Sequence, residues 1–309
     1  MKKQISTIAA VLTVGLVAGC GGGGSSSVPA TSAAKTTISG AVADGYLVGA
    51  TVFLDKNANY QLDAGEPFAT TDANGAYTLQ VDPADMGKYP LVAMATKGVT
   101  IDKDSGAAIP ASYLLSMPKE SVSGMVSSNF ISPMSSQLRE MMETGTYTTV
   151  QQAMDALRLK LGMPAGTNML ADYLLTNNST MHTAAQNMAS LMGSQMAQVF
   201  VPGGSGTVVD VNRYRGMMGS IFSQMSSIRG ANAQAAMTNL TGTMTTVLAS
   251  MPLPSAGQPY RNMSTAFRGG MMGGTTGAGT GVMTGGTTVS GGGVMTGGTT
   301  VSGGGMMGL

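Results

Sequence analysis

The apolar residues of this 309-residue chain change period once, near Ser128, and that switch limits the folds open to it. Before it the signal is β. Ile38, Gly40 and Val42 alternate with Ser39, Ala41 and Ala43, and the run Ala50–Leu54 is rich in β-formers. Asp72-Ala73-Asn74-Gly75 carries the Asn-Gly pair that favours a tight hairpin, with Ala76–Val81 as the strand after it. Pro90–Thr96 and Val99–Ile101 supply two more short strands. Short strands parted by turn signals predict a small antiparallel β-sandwich over residues 38–118.

After the switch the period is helical. Ser132-Pro133 reads as an N-cap followed by proline in the first turn, with Gly145 as the stop. Thr148-x-x-Gln151 has the form of a capping box; Val150, Met154, Leu157 and Leu161 share one face, and Gly162 ends the run. A third helix is predicted over Ser179–Val199, with Met181, Ala185, Met188, Met192, Met196 and Val199 inward and Pro202-Gly203-Gly204 as the break. Two more, Val209–Ile228 and Ala231–Met251, are parted by Gly230. Five helices with short links predict a Met-rich bundle over residues 119–256. From Gly257 to Leu309 periodic apolar content is lost, and Val282–Gly293 recurs as Val294–Gly305. Two glycine-rich copies are too few to bury a continuous core, which predicts a disordered Gly/Met/Thr-rich tail. The expected class is α+β multidomain: sandwich, then bundle, then tail.

At the other end, Lys2 and Lys3 precede an apolar stretch, Ile5–Val17, and Leu16-Val17-Ala18-Gly19-Cys20 closes it. Charged, apolar and small-residue segments in that order form a secretory signal, too short to span a bilayer. The run into Cys20 resembles the bacterial lipobox. That resemblance implies cleavage after residue 19, lipidation of Cys20 and anchoring to a bacterial envelope membrane. Gly21 stands where aspartate would imply inner-membrane retention, so the resemblance implies the outer membrane, with either face open. An ordinary signal peptide with an incidental cysteine is the alternative. Residues 20–37, mostly Gly, Ser, Ala and Thr, read as a tether spanning roughly 20–25 Å.

These features exclude much chemistry. Cys20 is the only cysteine, so disulfides, iron–sulfur clusters and Cys-x-x-Cys-His haem attachment are out. His182 is the only histidine, so a multi-histidine zinc site is impossible. No Gly-x-Ser-x-Gly elbow appears, and His182 reads as a surface or capping residue rather than a catalyst. Loss of Lys2 and Lys3 takes the formal charge from +1 to about −1, with no basic stripe, so nucleic acid is not an expected partner.

The strongest chemical signal is Asp55-Lys56-Asn57-Ala58-Asn59-Tyr60-Gln61-Leu62-Asp63-Ala64-Gly65-Glu66. Counting Asp55 as position one, oxygen-bearing side chains fall at positions one, three, five, nine and twelve, with apolar Leu62 at eight. Hard oxygen ligands at that spacing suit Ca²⁺, and Gln61 adds a backbone carbonyl at position seven. The loop resembles an EF-hand calcium loop. It departs from that pattern at Tyr60, which stands where glycine is expected and where a left-handed turn costs about 1–2 kcal/mol. Its flanks, Thr51–Leu54 and Phe68–Thr71, read as strands rather than helices. With Thr70–Tyr77 following, residues 38–96 resemble the B-type repeats of bacterial surface adhesins and the related carboxypeptidase-regulatory-like modules. That resemblance implies a small Greek-key or transthyretin-like sandwich, often stabilised by calcium. A hairpin loop without metal is the alternative.

Thr100–Gly106 holds a second Asp-x-Asp-x-Gly cluster, read as a solvated turn; its order before Ile131–Ser136 resembles a layout of bacterial surface lipoproteins. Methionine pairs, among them Met141-Met142, Met217-Met218, Met271-Met272 and Met306-Met307, raise Cu(I) binding by thioethers as a second function. Core filling explains the helical ones better. With no tryptophan, a carbohydrate-binding module has little support. The expectation is a non-enzymatic outer-membrane lipoprotein, calcium-stabilised, that serves adhesion or envelope assembly. Its partners would be the membrane, through the lipid, and an envelope or surface protein. Cu(I) handling is the alternative.

Overall fold

The structure, a computed structural model, describes residues 34–124, 129–203 and 206–252. The fold is mixed α+β, with several small sheets and six helices among the described residues. The signal segment with Cys20, most of the tether and the Gly-rich tail lie outside the described residues.

Strands β1 (Thr36–Val42), β2 (Leu47–Val48), β3 (Thr51–Leu54), β4 (Phe68–Thr70), β5 (Ala76–Val81), β6 (Leu91–Ala95), β7 (Ile101–Asp102), β8 (Ala107–Ala108) and β9 (Tyr113–Met117) come first. Strand β10 (Asn129–Ile131) leads into the helices. One sheet has the order β10-β1-β5, a second β4-β3-β6-β9, and a small third β2-β7-β8. In β1, Ile38 and Val42 turn inward as the alternation predicts. Gly40 is required by its neighbour: a Cβ there would lie 1.9 Å from the Asn129 carbonyl oxygen. That close approach is the pairing of β1 with β10, which is parallel and which the sequence pattern did not reveal. The Asn129 side chain fixes it by donating to the Ser39 carbonyl at 2.9 Å and the Ser123 carbonyl at 2.7 Å.

The Asn74-Gly75 turn forms, with Gly75 at φ +72° and Asp72 accepting from the Asn74 and Ala76 N–H groups. It is not the turn of a hairpin, however. Strand β4 pairs with β3 and β5 pairs with β1, so the turn carries the chain from one sheet to another.

The helices are α1 (Pro133–Glu143), α2 (Val150–Leu161), α3 (Ser179–Val199), α4 (Val211–Ser223), α5 (Met225–Ile228) and α6 (Gln234–Ser250). Ser132 caps α1 in a reciprocal box with Ser135. The cap of α2 is one residue later than expected: Thr149 accepts from the Gln152 N–H, while the Gln152 side chain reaches back to Thr148 N. Gly162 ends α2 at φ +65°. Between α3 and α4 an unexpected hairpin forms, β11 (Phe200–Gly203) with β12 (Gly206–Val209). Consequently α4 starts after Val209, where Asp210 accepts from the N–H groups of Asn212 and Arg213. The expected single helix over 209–228 also breaks at Gln224 into α4 and α5.

Strands and helices share one hydrophobic core, running from Ile38 to Leu248. Nine consecutive residues of α1, Pro133–Met141, are buried. Ser135 donates to the Ser116 carbonyl at 2.6 Å, and Tyr214 of α4 to the Leu114 carbonyl at 3.0 Å, which fastens both helices to β9. Met134, Met141, Met181, Met188, Met192, Met196, Met217, Met218, Met225 and Met244 are each at most 1% exposed. Their thioethers fill the interior, as unbranched flexible side chains do. No helix among the described residues is long and apolar enough to cross a membrane.

Candidate functional site

Strands β3 and β4 pair antiparallel, Thr51 with Thr70 and Phe53 with Phe68, so residues 55–67 form the loop of that hairpin. The loop is wound by its own side chains. Asp55 accepts from the N–H of Asn59 at 3.0 Å and of Tyr60 at 3.2 Å. Asn57 accepts from Asn59 N at 3.2 Å, and Asn59 from Gln61 N at 2.8 Å. Successive Asx turns of this kind wrap the backbone around one side of the loop. The wrap takes Ala58 and Tyr60 into the left-handed region, at φ +59° and +63°.

The ends are then tied together. Glu66 accepts from Lys56 N at 2.6 Å with one oxygen and from Asp63 N at 3.0 Å with the other. The amides of Asn57 and Asn59 both reach one oxygen of Asp63, at 2.8 and 2.7 Å. Side chains at positions three, five and nine therefore share one small space. Gln61 is half-buried, with its backbone N–H bound to Asn59, and Leu62 is 42% exposed. Burial pushes the Glu66 carboxyl upward, its two N–H bonds pull it down, and the charges of Asp55 and Asp63 raise it again. Lys56 turns away to Asp85, 2.6 Å distant.

Sequence reasoning missed what lies behind the loop. Asp55 is fully buried and forms a 3.0 Å ion pair with Arg139 of α1, itself fully buried. Arg139 also donates to Glu143 at 2.7 Å and stacks its guanidinium 3.8 Å from the Tyr60 ring centre. The Tyr60 hydroxyl donates to Glu140, and its ring lies 4.7 Å from that of Tyr214. Arg215 of α4 pairs with Glu143 and stands 3.4 Å from Glu140. Burial, with the neighbouring charge of Glu143, lifts the Glu140 carboxyl to about 7. Burial acts on Glu143 too, but Arg139 and Arg215 outweigh it and hold that carboxyl below its usual range. The only sequence signal of this network was an oddity: charged residues at the centre of an otherwise inward-facing α1.

As a cation site the loop offers three carboxylates and two amide oxygens, with Asp55 already paired to Arg139 and the Asn57 and Asn59 NH2 groups donating to Asp63. That donor chemistry fits Ca²⁺. Among the described residues no three His, Cys, Asp or Glu groups gather as metal ligands, so the amides of Asn57 and Asn59 would have to complete the set.

The second acidic cluster is more than a turn. Asp102 accepts from Asp104 N at 3.0 Å and Ser105 N at 3.2 Å. Asp104 in turn holds His182 at 2.6 Å and Gln186 at 3.0 Å, both on α3. His182 stacks on Tyr173, and the Tyr173 hydroxyl donates to the Ala43 carbonyl at 2.9 Å. Compared with known proteins, the chain matches no family model, no curated protein and no solved structure.

Proposed function

We propose that this chain is a lipid-anchored outer-membrane protein whose β3–β4 loop takes Ca²⁺, and that its role is non-enzymatic, in surface attachment or envelope assembly. In this reading the β10-β1-β5 and β4-β3-β6-β9 sheets serve as a sandwich, the helices as a bundle beside it, and Cys20 as the anchor. The observation that carries the reading is the wound loop: Asn57, Asn59 and Asp63 converge, while Asp55 and Glu66 close its two ends. Asp55, Asn57, Asn59, Asp63 and Glu66 would hold the ion through side chains and Gln61 through its carbonyl. A bound Ca²⁺ supplies charge neutralisation and rigidity, with no reaction implied. The protein's own part is to preset the coil by Asx turns, so that little ordering is left for the ion to drive.

At millimolar calcium and a dissociation constant near 0.1 mM, the gain is about 1.4 kcal/mol. For a chain of this size that is a rise of roughly 3–6 °C in Tm. Melting the full chain in calcium and in chelator should show that rise, and Asp63→Ala should remove it. Superimposable curves for the wild type would leave a hairpin loop without metal. The anchor is tested apart from the ion: Cys20→Ser should release the chain from the membrane fraction of the producing cell, and retention there would refute lipidation.

A further inference from the structure

A cleft of about 430 Å³ opens between the β7–β8 turn, β9 and α3, sharing no residue with the Asp55–Glu66 loop. Its chemistry is one-sided. Its lining combines the carboxylates of Asp44 and Asp102, a short apolar stretch from Ala108 to Ala111, and Gln186, Ser190 and Ser194 from successive turns of α3. None of its lining residues is basic. The nearest lysine in sequence, Lys103, is turned to Asn74 and the Tyr46 ring.

Asp44 is the residue to explain. One of its oxygens accepts from the Tyr113 hydroxyl at 2.9 Å; the other, Oδ1, is cut off from solvent and has no hydrogen-bond partner. A buried acceptor left unmade costs about 1–3 kcal/mol, so it persists where something else compensates for it. Asp102 and Asp104 crowd the same corner: a Cβ on Gly45 would lie 2.5 Å from a carboxylate oxygen of each. Burial pushes the Asp44 carboxyl up to about 7; the Tyr113 hydrogen bond opposes the rise, and the charges of Asp102 and Asp104 add to it. An apolar cleft with a few convergent polar groups and a shifted carboxyl is the usual form of a small-molecule site.

We propose that this cleft binds a small organic cation, a primary ammonium on a short hydrocarbon body. Asp102 takes the ammonium with the buried charge of Asp44 behind it, the Ala108–Ala111 stretch takes the hydrocarbon, and the α3 residues accept or donate hydrogen bonds along it. A bare metal ion suits the place less well. The cleft is far larger than an ion, and no three acidic or imidazole groups gather at ligand spacing among the described residues. At Gly193 α3 runs in van der Waals range of the Ala108–Ala111 stretch, a Cβ there standing 3.4 Å from that of Ala111. The proposal is independent of the calcium loop.

The test is calorimetric titration of the full chain at pH 8 with n-hexylamine, n-hexanol, n-hexanoate and calcium chloride. The expected result is saturable hexylamine binding at least tenfold tighter than that of hexanol or hexanoate. Asp44→Asn should weaken it tenfold or more, and Ser190→Phe, which puts a bulky ring at an exposed lining position, should abolish it. Binding should also strengthen from pH 6 to pH 8 as Asp44 ionises; the groups facing it are Tyr113 from β9, Asp102 from β7, Asp104 from the following turn, and Tyr173, while His182 of α3 is held by Asp104. Absence of saturable hexylamine binding, equal affinity for hexanol, or full affinity in Ser190→Phe would overturn the proposal. So would calcium heats that hexylamine does not displace, found without any hexylamine binding. If Asp44→Asn fails to fold, the ligand series and Ser190→Phe still decide.

Discussion

Tyr60 sits where its backbone wants glycine and its side chain wants the opposite, so replacing it measures which demand wins. At φ +63° a residue with a Cβ carries about 1–2 kcal/mol of strain, which Tyr60→Gly would release. Against this, glycine loses about 0.5–1 kcal/mol more through the freedom of its unfolded chain. The ring is fully buried, and truncating a buried aromatic costs about 3–5 kcal/mol. Its hydroxyl is also the hydrogen-bond donor to Glu140, a fully buried carboxyl, whose abandonment adds about 1–3 kcal/mol. These contributions overlap, and the expected net is a loss of roughly 3–5 kcal/mol. Ala58, at φ +59°, shares the strain without a large side chain to bury. There the same change to glycine should stabilise by about 0.5–1 kcal/mol. Urea unfolding of the full chain, followed by circular dichroism in the presence of chelator, reads both. Opposite signs at positions two residues apart are the signature. A Tyr60→Gly chain within about 1 kcal/mol of wild type would refute the claim that burial holds this turn in place.

Arg139→Met leaves the Asp55 carboxylate buried without its cation and should cost about 3–5 kcal/mol; adding Asp55→Asn should recover part of that, whereas simple additivity in urea unfolding would show the pair is not coupled. For Asp44, the folded carboxyl titrates near 7 and the unfolded one near 3.8, so between those values the folded chain holds a proton that the unfolded chain lacks. Stability therefore falls as pH rises through that window, and Asp44→Asn should gain roughly 2–3 kcal/mol on wild type between pH 5 and pH 8; a difference that stays flat or reverses would contradict the buried, unpaired acceptor.

Local signals carried well where one short segment decides the outcome. Ser132-Pro133 and the Gly162 stop set their helix ends through chemistry contained in three or four residues, and the 21-residue span of α3 follows from its methionine and alanine stripe. The hairpin ends of the Asp55 loop were legible for the same reason. What the period could not show was pairing between distant segments. Asn74-Gly75 announces a turn but not which strands leave it, and β1 has to be met by β10, from the far side of the period switch, before Gly40 makes sense. Charges in α1 look like surface residues until Asp55, Tyr60 and Arg215 close around them. His182 looked incidental because its partner, Asp104, lies 78 residues away.

The buried network also bears on how tightly the loop can hold an ion. A cation entering beside Asp55 meets a carboxylate already paired with Arg139, and Glu66 with each oxygen already holding a backbone N–H. Attraction to charges that are partly neutralised is smaller than attraction to bare ones, while the ion still has to shed its water. The same contacts preset the coil, which lowers the ordering cost. Partial neutralisation weakens binding and the preset coil partly offsets that loss, which is in keeping with the range of about 10⁻⁴–10⁻³ M seen for extracellular modules. A site of that strength fills only where calcium is millimolar, which is the condition outside a cell rather than within it. The proposed anchor at Cys20 and the proposed weak calcium site at Asp55 are compatible with one another. Weakening the pair of Arg139 with Asp55 should tighten the ion while loosening the fold.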